Sequence, residues 1–111
     1  MKDLAGLMKQ AQEMQSKMGE AQKRLDDATV TGEAGAGLVA ITMSAKGDPK
    51  SVMIDKVAID PNEKEVLEDL ILAALHDAKR KADQVQQKIL SEATQGLGLP
   101  PGIDLPFGKT L

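Results

Sequence analysis

The chain has no cysteine, no tryptophan and no tyrosine, and Phe107 is its one aromatic residue. Without thiols there is no disulfide, no thiolate nucleophile and no cysteine-ligated metal. That usage fits a reducing compartment. Without aromatic platforms, single-stranded nucleic acid cannot be held by base stacking in the usual way. Histidine is almost missing too. His76 stands alone, so no His-based nucleophile pair can be assembled and the residue reads as a surface side chain on a helix. Long apolar runs are also missing: none approaches the ~18 residues of a membrane span. The start, MKDLAGLMKQ, is amphipathic and lacks the apolar core of a signal peptide. The expectation is a soluble cytoplasmic protein with no membrane partner, no cofactor and no enzymatic activity.

What is present is modest. At 111 residues the chain is one domain. Six methionines supply the bulk that aromatics do not, and methionine suits adaptable helix contacts. The net charge is −3, which disfavours indiscriminate binding to polyanions but hides how the charges are distributed.

Residues 3–27 read as a helix. Leu4, Leu7, Ala11, Met14, Met18, Ala21 and Leu25 keep a 3,4 spacing, a heptad seam of about three repeats. Such a helix would run roughly 35–40 Å, and a Met/Ala seam needs something to pack on. Between residues 28 and 59 the period changes. Val39, Ile41 and Met43 alternate with Ala40, Thr42 and Ser44, and Val52 and Ile54 alternate again, as in half-buried strands. Residues 28–31 add a short first strand. Lys46–Pro49 is a turn by composition, and the opposite parity of Val57 and Ile59 predicts a bend or bulge near Asp55–Lys56.

Residues 61–93 form the clearest element. Asp60 is an N-cap, Pro61 suits the first helical position and Glu63 sits at the capping-box position. Leu67, Ile71, Leu75, Ala78, Ala82, Val85 and Ile89 run down one stripe. Residues 96–111, rich in Gly and Pro, read as an irregular or disordered tail beyond a single domain at 1–95. The fold class is therefore α+β: a long N-terminal helix, a small antiparallel sheet of two to three strands, and a long C-terminal helix. One small sheet cannot cover two long helices, so the seams predict a homodimer. The packing candidates are Leu4, Leu7, Met14, Met18, Leu25, Leu75, Val85 and Ile89.

One stretch suggests chemistry. Gly35-Ala-Gly-Leu-Val-Ala40 satisfies the dinucleotide pattern G-x-G-x-x-G/A. That fingerprint must follow a strand and open a helix, whose N-terminus holds the pyrophosphate. Here it follows a helix and opens a strand, and no Lys-Ser/Thr follows to make a P-loop. Gly32, Gly35 and Gly37 read instead as a corner needing positive φ and close backbone approach.

Four blocks carry a resemblance: MKQAQ at 8–12, VTGEAGAGLV at 30–39, LEDL at 67–70, and LPPG at 99–102 with LPF at 105–107. In this order, over nearly the whole chain, they resemble the YbaB/EbfC family of bacterial nucleoid-associated proteins. The resemblance implies an intertwined α+β homodimer whose helices protrude like tweezers. It implies binding of double-stranded DNA in the cytoplasmic nucleoid with little sequence specificity, and no catalytic site.

The residues themselves leave two readings. Lys79, Arg80, Lys81 and Lys88 on the second helix, with Lys2 and Lys9 on the first, are the candidate phosphate contacts. Lys81 and Lys88 share a face; Lys79 and Arg80 do not join it. Against this, charge runs are usually solvated faces, and Asp77 to Lys81 is an i,i+4 pair. The functional alternative is a protein-interaction adaptor for replication or recombination proteins, which Met-rich seams suit.

Overall fold

A computed structural model describes residues 4–95. Helix α1 (Leu4–Asp27) leads into three strands, β1 (Thr29–Ala34), β2 (Val39–Ser44) and β3 (Pro49–Ile54), and helix α2 (Lys64–Gln95) closes the order. The strands form one antiparallel sheet in the order β1-β2-β3. The expected short first strand is a full one of six residues, and β3 begins already at Pro49. Proline is tolerated there because β3 is an edge strand.

The register explains the alternation. Val30 lies opposite Met43, Gly32 opposite Ile41, and Ala34 opposite Val39. Those residues share the face that α2 covers. Val30, Val39, Ile41 and Met43 pack with Ala74, Ala78 and Ala82 of α2 into the main core, flanked by Leu67, Leu70, Ile71 and Val85. The contact side of α2 is made of alanines because the helix lies very close to β1. Leu75, expected on the buried stripe, is 41% exposed, and Ala74 is fully buried in its place. A bulky side chain at that contact would lift the helix.

The bend expected near Asp55–Lys56 is a 3₁₀ turn, Lys56–Ala58, with the Asp55 carboxylate accepting from Val57 N–H. The irregularity in the ladder lies instead between Thr42 and Met43, opposite the start of β3. A second 3₁₀ turn, Pro61–Glu63, precedes α2, so the α-helix itself begins three residues later than Pro61. Asp60 caps this turn through Asn62 N–H at 3.0 Å, two residues on rather than the three of a capping box.

Of the three glycines expected at a corner, Gly35 and Gly37 form the β1–β2 hairpin turn, whereas Gly32 lies within β1 and is not among the positive-φ residues, because what it serves is the close approach of α2. Gly35, Ala36 and Gly37 all have left-handed backbone, with φ of 64°, 57° and 92°. No helix follows this turn; β2 does. Ala36 carries a Cβ in a conformation that costs an L-residue about 1–2 kcal/mol. Replacing Ala36 with glycine is expected to raise stability by about 0.5–1 kcal/mol, less than the full strain because glycine also loosens the unfolded chain. Urea unfolding checks it.

Among the described residues, helix α1 meets the rest of the chain near its C-terminal end. Ala21 and Leu25 pack with Ala45, Ile89 and Leu90 in a second, smaller cluster, with Met18, Ala28, Val85 and Ala93 around it. An ion pair from Arg24 Nη2 to Glu92 Oε1 at 2.8 Å spans the same junction. Residues 4–16 are exposed throughout, so α1 projects as an arm and the Cα atoms extend over 73 × 23 × 16 Å. The predicted tail, 96–111, lies outside the described residues.

Candidate nucleic-acid interface

The four candidate cations of α2, Lys79, Arg80, Lys81 and Lys88, divide around the helix because successive residues turn by about 100°. Lys81 lies on the flank next to β1, where its Nζ donates to the Thr31 carbonyl at 2.9 Å. Lys88, seven residues on, occupies the same flank and is exposed. Lys79 points to the other side, toward the β2–β3 turn, where its Nζ is the atom nearest a Cβ built on Gly47, 3.9 Å away. Arg80 stands between them and is 62% exposed. The four cations therefore ring the solvent side of α2 rather than forming one stripe. Lys9 is exposed on α1, and Lys2 lies outside the described residues.

Three of the four already hold carboxylates. Lys79 lies 3.9 Å from Asp83. Arg80 and Lys81 both pair with Asp77, the latter at 3.1 Å. Asp77 also accepts the backbone N–H of Glu33 at 3.0 Å. That backbone hydrogen bond, then those from Lys81 and Arg80, hold its carboxyl below the usual range, at about 2, so it stays charged at any pH near neutrality. Lys88 has no carboxylate partner among the described residues.

Asp77 and Lys81 have a second consequence. Glu33 N–H and Thr31 C=O belong to the free edge of β1, and both are occupied by α2 side chains. Partners on these two groups make that edge a poorer template for another strand. The other edge, β3, has no such cover among the described residues, and it carries Val52 at 56% and Met53 at 65% exposure. Val57, Ile59, Val66, Leu72 and Leu75 are exposed as well.

The packing candidates divide similarly. Leu25 and Ile89 are buried within the chain, and Met18 and Val85 are partly so. Leu4, Leu7 and Met14 are exposed on the arm at 59%, 60% and 42%. Sequence reasoning did not single out Val52, Met53, Val57 and Ile59 as surface apolar residues. Val52 reads with Ile54 as an ordinary half-buried strand and Val57 with Ile59 as a change of parity after a bend, and nothing local says that α2 stops short of β3. It noted Asp77 only as a partner of Lys81; the tie to Glu33 joins residues 44 apart in sequence. Among the described residues no three carboxylate or imidazole groups converge to hold a metal, and no helix is long and apolar enough to cross a membrane.

Compared with known families, residues 1–97 match the description "YbaB/EbfC DNA-binding family". The chain belongs to the YbaB/EbfC family. Relatives agree along nearly the whole length. A protein of Maricaulis maris named a nucleoid-associated protein is 59% identical over 107 residues, 96% of this chain and all of the relative. Nucleoid-associated proteins of Granulibacter bethesdensis and Rhodospirillum rubrum are 50% and 46% identical over the same lengths. Among solved structures, an uncharacterized protein of Helicobacter pylori superimposes with a TM-score of 0.70 at 18% identity, covering 81% of this chain and 95% of that one. That likeness concerns the fold alone. In this YbaB/EbfC protein the glycines have an architectural use: Gly35 and Gly37 turn the hairpin, and Gly32 of β1 lets α2 lie close.

Proposed function

We propose that this YbaB/EbfC protein is a homodimer that binds double-stranded DNA in the cytoplasmic nucleoid, with little sequence specificity, through phosphate contacts that alter the shape of the duplex. The observation that carries this reading is a set of exposed cations on α2, with Lys9 on the projecting arm of α1, in a chain of a DNA-binding family. No aromatic residue lies within the described region to stack on bases, which favours backbone contact over base readout. The net charge of −3 requires that contact to be local, on the Lys81/Lys88 flank of α2 and on Lys9. The homodimer rests on the uncovered apolar residues. Val52, Leu72 and Leu75 are exposed on β3 and α2; Val52 stands opposite Ile41, on the sheet face that α2 covers, whereas Met53, opposite Ala40, is exposed on the other face, and the β3 edge that carries both is open to a second copy.

The exposed Leu4, Leu7, Met8 and Met14 of the arm support a second reading, an adaptor for replication or recombination proteins, because methionine-rich helix faces adapt to varied partners.

Fluorescence anisotropy of a labelled random-sequence duplex, titrated at several salt concentrations, separates the two. A phosphate binder loses affinity with a log–log slope near −0.9 per phosphate neutralised. The Lys79/Arg80/Lys81/Lys88→Ala variant is expected to bind weakly, with a slope shallower by about 1 for each contact removed. Absence of wild-type binding at low salt, or binding indifferent to salt, overturns the DNA reading and leaves the adaptor.

A further inference from the structure

We propose that Asp77 sets the DNA affinity of this protein by occupying, from inside, the cations a phosphate would use. The inference rests on the DNA-binding reading above and deepens it. The geometry is that of an anion among donors. One carboxylate oxygen, Oδ2, takes the Glu33 N–H at 3.0 Å and Lys81 Nζ at 3.1 Å. The other, Oδ1, takes Arg80 Nη2. Lys81 is held a second time, by the Thr31 carbonyl at 2.9 Å.

The partners differ in freedom. Asp77 is 22% exposed and fixed to the sheet by a backbone donor, whereas Lys81 and Arg80 are 40% and 62% exposed on long flexible stems. A phosphate arriving from solvent therefore meets the cations first. It cannot displace the carboxylate, which the sheet holds in place. It must either share the cations with Asp77 or draw them off it, and it feels the repulsion of a fixed negative charge close behind them. Surface ion pairs are individually weak, so this arrangement moderates binding without abolishing it. A moderated affinity lets a sequence-tolerant protein exchange along DNA.

The test is Asp77→Asn. The amide oxygen still accepts the Glu33 N–H, so the sheet contact survives while the charge is gone. Duplex affinity by anisotropy at low salt is expected to rise about 3- to 10-fold, the scale of one nearby like charge in water. The salt slope should steepen by up to about 0.9 for each cation freed. The gain must vanish in an Arg80→Gln/Lys81→Gln background, and Asp69→Asn, which changes the net charge equally on the same helix, must not reproduce it. If Asp77→Asn fails to fold, Asp77→Ser removes the charge with a smaller side chain and carries the same comparison.

Wild-type binding with an unchanged or weakened Asp77→Asn variant overturns the role of Asp77 and leaves the DNA reading standing. A gain that persists without Arg80 and Lys81, or that Asp69→Asn matches, also overturns it, as a mere effect of net charge. No duplex binding by the wild type or the variant overturns the DNA reading, and this inference with it.

Discussion

Replacing Gly32 with alanine is expected to lower stability by about 3 kcal/mol, at the upper end of what overpacking costs. A Cβ at this position would lie 2.1 Å from Ala78 N, 2.3 Å from Ala74 O and 2.6 Å from Ala78 Cα. All three are backbone atoms of a continuous helix. A side-chain tip could rotate away; the helix backbone cannot. Helix α2 must lift from β1, and the lift opens the contacts of Val30, Ile41 and Met43 with Ala74, Ala78 and Ala82. The cost is steric and not conformational, because Gly32 is not among the residues with positive φ. Gly19→Ala is the matching control. Nothing lies within 4 Å of a Cβ there, and alanine in a helix interior is better than glycine by about 1 kcal/mol. Urea unfolding at fixed protomer concentration compares the two, since self-association would make apparent stability depend on concentration. A Gly32→Ala protein as stable as the wild type would mean that α2 does not sit this close to β1.

The same residue shows where sequence reading reaches and where it stops. The helices, β2, β3 and the Gly35/Gly37 corner were legible, because each is written in a local period or a turn residue; β1 was expected only as a short strand at 28–31, because Gly32 interrupts its apolar period. Val39, Ile41 and Met43 alternate, and the structure buries those three on the side that α2 covers. Gly35 and Gly37 mark a turn, and both have positive φ. The distance between α2 and β1 was not legible, because it depends on Gly32 meeting Ala74 and Ala78 across more than forty positions. Hence the contact stripe of α2 reads as Leu75 in sequence and is Ala74 in space: a helical period names a face only to within a residue or so, and the small residue wins where two backbones approach. The interface follows the same rule. The cations and their angular separation follow from spacing alone. That Asp77 gathers two of them while tied to Glu33 follows only from the docking of α2 on the β1 edge, a tertiary event with no local signature. The exposure of Val52 was hidden for a related reason, since it depends on how far α2 reaches across the sheet.

Replacing Leu25 with alanine is expected to release α1 from the body of the protein while leaving the sheet folded. Leu25 is 1% exposed and is the largest side chain that α1 buries. Truncating a buried leucine to alanine costs about 2–5 kcal/mol, through lost transfer energy and the cavity left behind. The main core does not contain Leu25; the smaller cluster of Ala21, Ala45, Ile89 and Leu90 does. Only Val85 borders both. Residues 4–16 are all exposed among the described residues, and a lone helix carrying two glycines is marginal in water. The loss should therefore appear as local opening and not as a uniform weakening. Hydrogen exchange reads this directly. At about 3 kcal/mol, amides of α1 should exchange roughly 100-fold faster, while those of β2 change little. Equal acceleration across α1 and β2 would show instead that the arm and the sheet unfold as one unit. Under the proposed function the released arm has a further effect. Lys9 loses its fixed position relative to Lys81 and Lys88, so duplex affinity should fall although none of these cations has been removed.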